Sequence, residues 1–281
     1  RENSDSLGRE RIYFGTKKIM KILLTNDDGI RAPGIIALHK ALQDLGELVV
    51  YAPETVQSAT SHGITYTTPL MTQTVDVTDN MSGVAIDGRP ADCVKLAMRA
   101  LWEEKFGEGT KPDLTISGMN SGSNVGINII YSGTVAAAIE SAFLGVPSIA
   151  VSLHLKNRSL TCYDRAAQIA RTVIDKVLEN ALEPHEVMNI NVPACESEDR
   201  PMPEIKVVDM NASGDLGYYD KRLAPDGRTY YWAAGDGMSF EHTAVGSDVE
   251  ALKQGFATVT PLNYVLTHTD TMELWRNRIC T

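Results

Sequence analysis

The chain has 281 residues, 43% of them hydrophobic, which is enough for a sizeable core in one large domain or in one domain with an appendage. Its formal net charge is -10, so its surface repels phosphate backbones and a nucleic-acid polymer is not expected as a partner. The four cysteines have no CxxC or metal-finger spacing. No apolar run reaches the length of a membrane span, so no membrane partner is expected. Because the sequence shows no secretory segment, we expect a cytoplasmic protein with reduced thiols.

Residues 1–19 are polar and mixed in charge, and the first apolar run begins just after Met20. We therefore expect 1–19 to be an extension or an expression remnant ahead of the natural start. Residues 20–281 are expected to form a single α/β domain, with a protruding hairpin at about 214–235 and a C-terminal segment at 255–281.

The first predicted elements form a strand–helix–strand unit. The apolar run Lys21–Thr25 is too short for a helix and predicts a buried strand. Isoleucines and leucines at helical spacing predict a helix over Gly34–Leu45, with Pro33 in its first turn, and Glu47–Tyr51 predicts the next strand. Such a unit implies a parallel sheet with a right-handed crossover.

The alternation of strands and helices continues along the chain. The further predicted elements are a hairpin over Gly63–Val77, strands at Val84–Ile86, Asp113–Ser117, Ser148–Ser152 and Val187–Val192, and helices at Pro90–Glu104, Gly133–Leu144 and Tyr163–Asn180. This order predicts a three-layer, Rossmann-like α/β fold with a mostly parallel sheet.

Aromatic runs flank the turn Pro225-Asp226-Gly227 and predict an extended hairpin over Leu216–Ala234. The hairpin carries more aromatic surface than a lone hairpin should expose. We expect it to pack on another surface, either a second subunit or its own core.

Two adjacent acids, Asp27 and Asp28, stand where the first strand ends. Neighbouring strand side chains point to opposite faces, so the two carboxylates converge only if the chain leaves strand geometry, which Gly29 makes easy. Converging carboxylates repel unless a cation lies between them, and the carboxyl end of a strand is where open α/β sheets bind ligands. One interpretation is a site for magnesium, manganese or calcium; the other is that Asp28 caps the following helix and Asp27 is solvated.

A second polar constellation is SGMNSGSNVGINIIYSGT, which follows the strand Asp113–Ser117. Its glycines allow close backbone approach, and its asparagines, Asn120 among them, offer uncharged donors and acceptors. The segment runs through Ser132, Gly133 and Thr134 into a helix, and a helix start is a ready phosphate site, although an ordinary capped loop has the same pattern. Neither GxGxxG nor a P-loop is present, which argues against a dinucleotide-dependent oxidoreductase.

A third polar loop, containing Gln57, Ser58, Thr60, Ser61 and His62, follows the second strand and should open at the same sheet edge as the aspartate pair. A hydroxyl there would complete a cation's ligand shell, whereas a loop histidine is more often a surface residue. The acids are adjacent and not Asp-x-Asp, so a covalent aspartyl-phosphate mechanism is not indicated.

These residues make the chain resemble the SurE (survival protein E) family of metal-dependent nucleotidases, over most of Met20 to Asn263. The similar blocks are MKILLTNDDGIRAPGI, VVYAPETVQSAT, GRPADCVKLA, SGMNSGSNVG, IIYSGTVAAAIE, APDGRTYYW and SDVEALKQGFATVTPL. The resemblance implies a phosphatase for nucleoside monophosphates, a 5′-nucleotidase with 3′-nucleotidase or exopolyphosphatase activity as further options.

The resemblance also implies site residues and assembly. It implies one divalent metal ion per subunit, magnesium, manganese or similar, held by Asp27, Asp28, Ser58 and Asn120. The catalytic residues implied are Asp27, Asp28 and Asn120, with phosphate binding at Ser132, Gly133 and Thr134. It further implies a homodimer that exchanges C-terminal hairpins, or a dimer of dimers.

Several positions depart from the family pattern. Ile127 and Asn128 stand where many relatives have two acids, and Val265 and Thr269 stand where some have an aspartate and a histidine. These departures leave the four metal positions intact and bear on substrate preference. A non-catalytic nucleotide- or metal-binding module would show the same sequence features without turnover.

Overall fold

A computed structural model describes residues 19–235 and 237–280. The strands are β1 (Lys21–Thr25), β2 (Glu47–Pro53), β3 (Thr72–Thr78), β4 (Met81–Ile86), β5 (Leu114–Ser121), β6 (Ser148–Leu153), β7 (Val187–Val192), β8 (Ile205–Val207), β9 (Tyr218–Leu223), β10 (Thr229–Ala234) and β11 (Ala257–Leu262). The helices are α1 (Pro33–Leu42), α2 (Pro90–Leu96), α3 (Trp102–Phe106), α4 (Gly133–Phe143), α5 (Tyr163–Leu178), α6 (Asp248–Lys253) and α7 (Thr269–Ile279).

The main sheet has the strand order β3-β4-β2-β1-β5-β6-β7-β11-β8, and β9 and β10 form a separate two-stranded sheet. The six strands that are consecutive in the sheet from β4 to β7 (β4, β2, β1, β5, β6 and β7) run parallel. Strand β3 pairs antiparallel with β4, and β11 pairs antiparallel with β7. Helices α1 and α5 pack together on one face, and α2 and α4 on the other. The predicted three-layer, mostly parallel α/β fold is therefore confirmed.

Side-chain alternation along β1 shows how the sequence fills both faces. Ile22 and Leu24 are fully buried beneath α1 and α5, while Leu23, between them, is fully buried against α2. A strand covered on both faces has apolar residues at every position, because neither face meets water. This explains why Ile22, Leu23 and Leu24 form a continuous apolar run within β1.

The sheet face that meets α4 carries a row of small, mostly polar residues. One row of paired positions crosses five strands from Thr25 through Ser117, Ala150 and Asn189 to Thr260. All five residues are buried. The opposite face, under α1 and α5, is aliphatic at the corresponding positions.

The predicted hairpin over Gly63–Val77 is wrong. The antiparallel partner of β3 is β4, and the two join through a tight turn at residues 79–80. The segment before β3 is a loop because its polar groups bond elsewhere: Thr65 donates its N–H and its hydroxyl to the Asp92 carboxylate at 2.8 and 2.7 Å. Threonine-rich composition alone did not distinguish this loop from a strand.

Other predicted elements are confirmed with shifted ends. The helix predicted from Pro90 extends to Phe106, with a π-helical turn at Ala97–Leu101 between α2 and α3. Strand β5 runs on to Ser121, beyond its predicted end at Ser117. The pairing of β5 with β6 changes register after Ser117, as at a β-bulge. The polar end of β5 therefore extends beyond the apolar core.

The predicted hairpin at Leu216–Ala234 is confirmed as β9 and β10, and its tyrosines and Trp232 are exposed in this chain. Sequence reasoning gave no secondary structure to β8, α6, β11 and α7. Within the expected C-terminal segment, β11 lies inside the main sheet, and residue 281 lies outside the described residues. The expected N-terminal extension also lies outside them, apart from Ile19.

Candidate metal and phosphate site

A local turn takes the chain out of strand geometry directly after β1. Asn26 Nδ2 donates to the Gly29 carbonyl at 2.8 Å, and the Ile30 N–H donates to the Pro53 carbonyl, also at 2.8 Å. Gly29 adopts a φ of 95°, a conformation that residues with a Cβ rarely adopt. The turn places both aspartate side chains at the carboxyl edge of the sheet, as the sequence predicts.

Asp27 is buried, with 6% of its surface exposed. Thr134 Oγ1, in the first turn of α4, donates to Asp27 Oδ1 at 2.5 Å. Burial is the main cause that raises the Asp27 pKa to about 6; the Thr134 hydrogen bond opposes it, and the neighbouring charge of Asp28 adds to it. The two carboxylates are thus close enough to interact, as expected from the converging pair.

Asp28 faces the end of β5. The Ser121 N–H donates to Asp28 Oδ2 at 2.7 Å, which ties this carboxylate to the strand that carries Asn120. The alternative that Asp28 caps the following helix is wrong, because Ala32 precedes α1 and no side chain caps it. The chain turns at Gly29 before the helix begins, which carries the Asp28 side chain to β5.

Asn120 is oriented by its amide nitrogen. Asn120 Nδ2 donates to the Gly122 carbonyl at 2.7 Å. Its carbonyl oxygen, Oδ1, and the second oxygen of Asp28, Oδ1, accept no hydrogen bond from the residues that the structure describes. In metal sites, hydrogen bonds to surrounding groups commonly hold a ligand side chain through one polar atom and leave its other oxygen for the metal. Asp28 and Asn120 are held in this way.

Ser58 lies in the loop after β2. The Gln57 N–H, one residue earlier, donates to the Asp27 carbonyl at 2.8 Å, so this loop is attached to the aspartate turn. The Ser58 side chain is exposed. The structure therefore brings the Ser58 backbone close to the site, while no contact of its hydroxyl with Asp27, Asp28 or Asn120 is present among the described residues.

The turn Ser132-Gly133-Thr134 forms the start of α4 and closes the other side of the site. Ser132 Oγ accepts a hydrogen bond from the Val135 N–H at 3.1 Å and caps the helix. A Cβ added to Gly133 would lie 3.0 Å from the Asp27 Cβ, a contact so tight that the neighbouring groups would have to shift. The two hydroxyls of the turn are thus already engaged, and the Gly133 N–H is the group left for an anion at the helix start.

Three supporting contacts were missed by sequence reasoning. Pro90 lies against Gly133, and its Cγ would be 3.0 Å from a Cβ added at that glycine. The Asp92 carboxylate accepts the Arg89 N–H at 3.0 Å and thereby fixes the start of α2. His62 Nε2 lies 2.8 Å from Glu140 Oε2 on α4. The block GRPADC places a proline and an acid at a helix start, which is the only sequence signal that pointed to any of these contacts.

The donor set fits a hard divalent cation. Within the described ranges 19–235 and 237–280, no group of three or more His, Cys, Asp and Glu is arranged to hold a metal. A cation here would have two carboxylates and uncharged amide and hydroxyl oxygens as ligands, the oxygen-rich environment that magnesium and manganese accept. Burial, with a smaller contribution from the charge of Asp28, raises the pKa of Asp27 to about 6, so a cation bound between the two carboxylates would favour their ionised forms.

The chain is similar in sequence to known proteins. The family model described as Survival protein SurE matches residues 22–214. A protein of Rhodopirellula baltica named 5′-nucleotidase SurE is 44% identical over 251 residues, covering 89% of this chain and 95% of the relative. A protein of Heliobacterium modesticaldum with the same name is 42% identical over 253 residues, covering 89% and 88%.

A solved structure is similar as well. The crystal structure of a SurE protein from Aquifex aeolicus superimposes with a TM-score of 0.75 at 36% sequence identity, covering 92% of this chain and 99% of that chain. The family match spans the aspartate turn, the Asn120 strand end and the start of α4. The chain belongs to the SurE family.

Proposed function

We propose that this protein is a metal-dependent 5′-nucleotidase, which hydrolyses nucleoside monophosphates to a nucleoside and inorganic phosphate. The observation that carries the proposal is the convergence of Asp27 and Asp28 between the end of β5 and the start of α4. The names of the relatives, 5′-nucleotidase SurE, support the same activity.

We place one divalent cation per subunit, magnesium or manganese, at Asp27, Asp28, Ser58 and Asn120. When bound, such an ion polarises a phosphoryl oxygen and lowers the pKa of a water molecule. The free oxygens of Asp28 and Asn120 support this placement. Ser58 has an exposed side chain on a loop that is already bonded to the Asp27 carbonyl, which supports its place in the ligand set.

The chain's own groups orient the substrate and handle the proton. The N–H of Gly133 and the positive end of α4 stabilise the negative charge on the equatorial phosphoryl oxygens. The Asp27 carboxylate, which lies beside the start of α4, is suited to accept the proton of the attacking water. The Thr134 hydroxyl holds that carboxylate in position.

An activity panel tests the proposal. Purified protein is assayed with AMP, GMP, a 3′-nucleotide, polyphosphate and p-nitrophenyl phosphate, in manganese, in magnesium and in excess EDTA. We expect 5′-monophosphates to be hydrolysed, EDTA to abolish the activity and manganese or magnesium to restore it. Full activity of the Asp27→Asn/Asp28→Asn double variant would overturn the mechanism. Nucleotide binding without turnover would favour a regulatory module.

We also propose that residues 20–281 act as one domain that assembles into a homodimer or a dimer of dimers through the hairpin β9–β10. The exposed tyrosines and Trp232 of this hairpin support the assembly, because such aromatic surface is enriched at subunit interfaces. None of the described helices is long and apolar enough to cross a membrane. The unpaired cysteines fit a reducing compartment, and we propose the cytoplasm.

A further inference from the structure

The end of β5 is paired with a strand on one side only. Strand β1 ends at Thr25, which pairs with Ser117 of β5, and β5 continues beyond this point to Ser121. On its other side β5 stays paired with β6, where Asn120 lies opposite Ser152. In the described part of the chain, the last residues of β5 therefore meet the aspartate turn where a neighbouring strand would otherwise lie. Side-chain contacts hold them on that side.

Ser121 connects two of the proposed metal ligands. Its N–H donates to Asp28 Oδ2 at 2.7 Å. The residues on either side of it, Asn120 and Gly122, are joined by the hydrogen bond from Asn120 Nδ2 to the Gly122 carbonyl at 2.7 Å. A movement of Ser121 would therefore displace Asp28 and Asn120 together.

Ser121 is held in turn by Tyr163, the first residue of α5. The Tyr163 hydroxyl lies 3.0 Å from Ser121 Oγ, which is within hydrogen-bond distance. The two residues are 42 positions apart in the chain, so this contact arises from the packing of α5 beside the end of β5. It joins α5 to the strand end that carries Asn120.

Tyr163 is itself firmly fixed. Its ring packs against the apolar core beneath α1 and α5. The residue before it, Cys162, donates its N–H to the Cys195 carbonyl at 2.9 Å. Two residues after it, Arg165 donates from Nε and Nη2 to the Arg200 carbonyl at 2.8 and 2.6 Å. The start of α5 is therefore attached on both sides of Tyr163, which makes the phenol a rigid support.

The two carboxylates are held from opposite faces of the sheet. Thr134 of α4 contacts Asp27 directly, whereas Tyr163 of α5 acts on Asp28 through Ser121. Helices α4 and α5 cover opposite faces. Adjacent carboxylates repel each other without a cation, so supports on both faces keep them in place for a metal ion.

We infer that Tyr163 is a positioning residue for the metal site, which acts through Ser121 on Asp28 and Asn120. The inference rests on the proposed function, because it concerns the same metal ion, and it adds a residue that is not itself a ligand. Ligands that are already ordered bind more tightly, because less conformational freedom is lost on binding. Removing the Tyr163 hydroxyl should therefore weaken metal binding although every ligand remains.

Three variants isolate this contact. Tyr163→Phe removes the hydroxyl and keeps the ring that packs against the core. Ser121→Ala removes the other partner of the contact and keeps the N–H that holds Asp28. Tyr51→Phe is the matched control, because it removes the same oxygen from a tyrosine whose hydroxyl contacts the Leu101 carbonyl at 3.4 Å on the α2 face of the sheet.

Manganese binding to each metal-free protein is measured by electron paramagnetic resonance, which detects the free ion. We expect Tyr163→Phe and Ser121→Ala each to raise the Kd for manganese about 3- to 10-fold, the effect of one lost hydrogen bond. The double variant should bind no more weakly than either single variant, because both changes remove the same contact. Tyr51→Phe should bind as wild type does. An unchanged Kd in either single variant, additive losses in the double variant, or an equal loss in Tyr51→Phe would overturn the inference.

Activity at two manganese concentrations distinguishes positioning from a general loss of structure. Tyr163→Phe should hydrolyse AMP more slowly than wild type when manganese is limiting, and excess manganese should reverse this loss, because the ligands themselves are unchanged. A loss that excess manganese does not reverse would show that the substitution damages the fold, and would contradict the inference.

The binding measurement also separates this inference from the proposed activity. Proteins that show the expected pattern of manganese binding but hydrolyse no AMP would refute the activity and keep the positioning role. Active enzyme whose manganese affinity does not depend on Tyr163 would refute the positioning role and keep the activity. A wild type that binds no manganese would refute both.

Discussion

Replacing Asp27 by asparagine should stabilise the metal-free protein at neutral pH while removing its response to metal. Burial raises the pKa of Asp27 from an ordinary value of 3.8 to about 6. At ~1.4 kcal/mol per pH unit, keeping this carboxylate ionised in the metal-free fold costs about 3 kcal/mol at pH 7.5. Asparagine has no charge to bury, and its carbonyl oxygen can still accept the Thr134 hydroxyl.

The sign of the pH dependence follows from the raised pKa. The folded state binds the Asp27 proton more tightly than the unfolded state, so this contribution to stability is fully present below pH 3.8 and is lost as pH rises through about 6. In EDTA, the free energy of unfolding of wild type, relative to Asp27→Asn, should therefore fall by up to about 3 kcal/mol between pH 4 and pH 7.5.

Urea unfolding in EDTA at pH 4 and 7.5, repeated in saturating manganese, measures these differences. Manganese at 100 times its Kd should stabilise wild type by about 2.7 kcal/mol and Asp27→Asn by much less. Asp79→Asn, in the exposed turn between β3 and β4, is the control and should follow wild type in every condition. If Asp27→Asn in EDTA at pH 7.5 proves no more stable than wild type, the assignment of Asp27 as a buried, uncompensated charge is wrong.

Three further substitutions probe the contacts around this carboxylate. Gly133→Ala forces a Cβ within 3.0 Å of the Asp27 Cβ and should lower kcat/KM more than tenfold, with a stability loss of about 1–3 kcal/mol; unchanged kinetics would contradict the close approach. Asn120→Ala should raise the manganese concentration for half-maximal activity at least about tenfold, and its melting temperature in EDTA should stay near that of wild type. His62→Ala leaves the buried carboxylate of Glu140 without its nearest partner and should cost about 1–3 kcal/mol in urea unfolding, whereas His62→Gln should recover part of the loss.

Local sequence chemistry was most informative where strands end and helices begin. The apolar run of β1 and the Asp-Asp-Gly that follows it located the aspartate turn, because a buried strand must lose its apolar pattern where it meets solvent. The start of α4 was equally visible, since Ser132 has the side chain that caps a helix and the alanines after it have high helix propensity.

The predictions failed where a segment's structure depends on distant residues. The segment before β3 has threonines typical of a strand but bonds to Asp92 on α2, a contact that no local pattern encodes. Strand β11 comes near the end of the sequence yet lies between β7 and β8 in the sheet. Aliphatic spacing cannot reveal such a neighbour, because the order of strands depends on long-range pairing.

Sequence patterns were sufficient to predict the layered α/β fold, the edge of the sheet where the carboxylates meet, and the helix start beside them, because periodicity and turn chemistry act over a few residues. Tertiary packing was needed to show which carboxylate oxygen each backbone or hydroxyl group contacts, and that β11 lies between β7 and β8 in the sheet. Those features arise where segments far apart in the chain come together, and their geometry depends on strand register and helix packing that no single segment specifies.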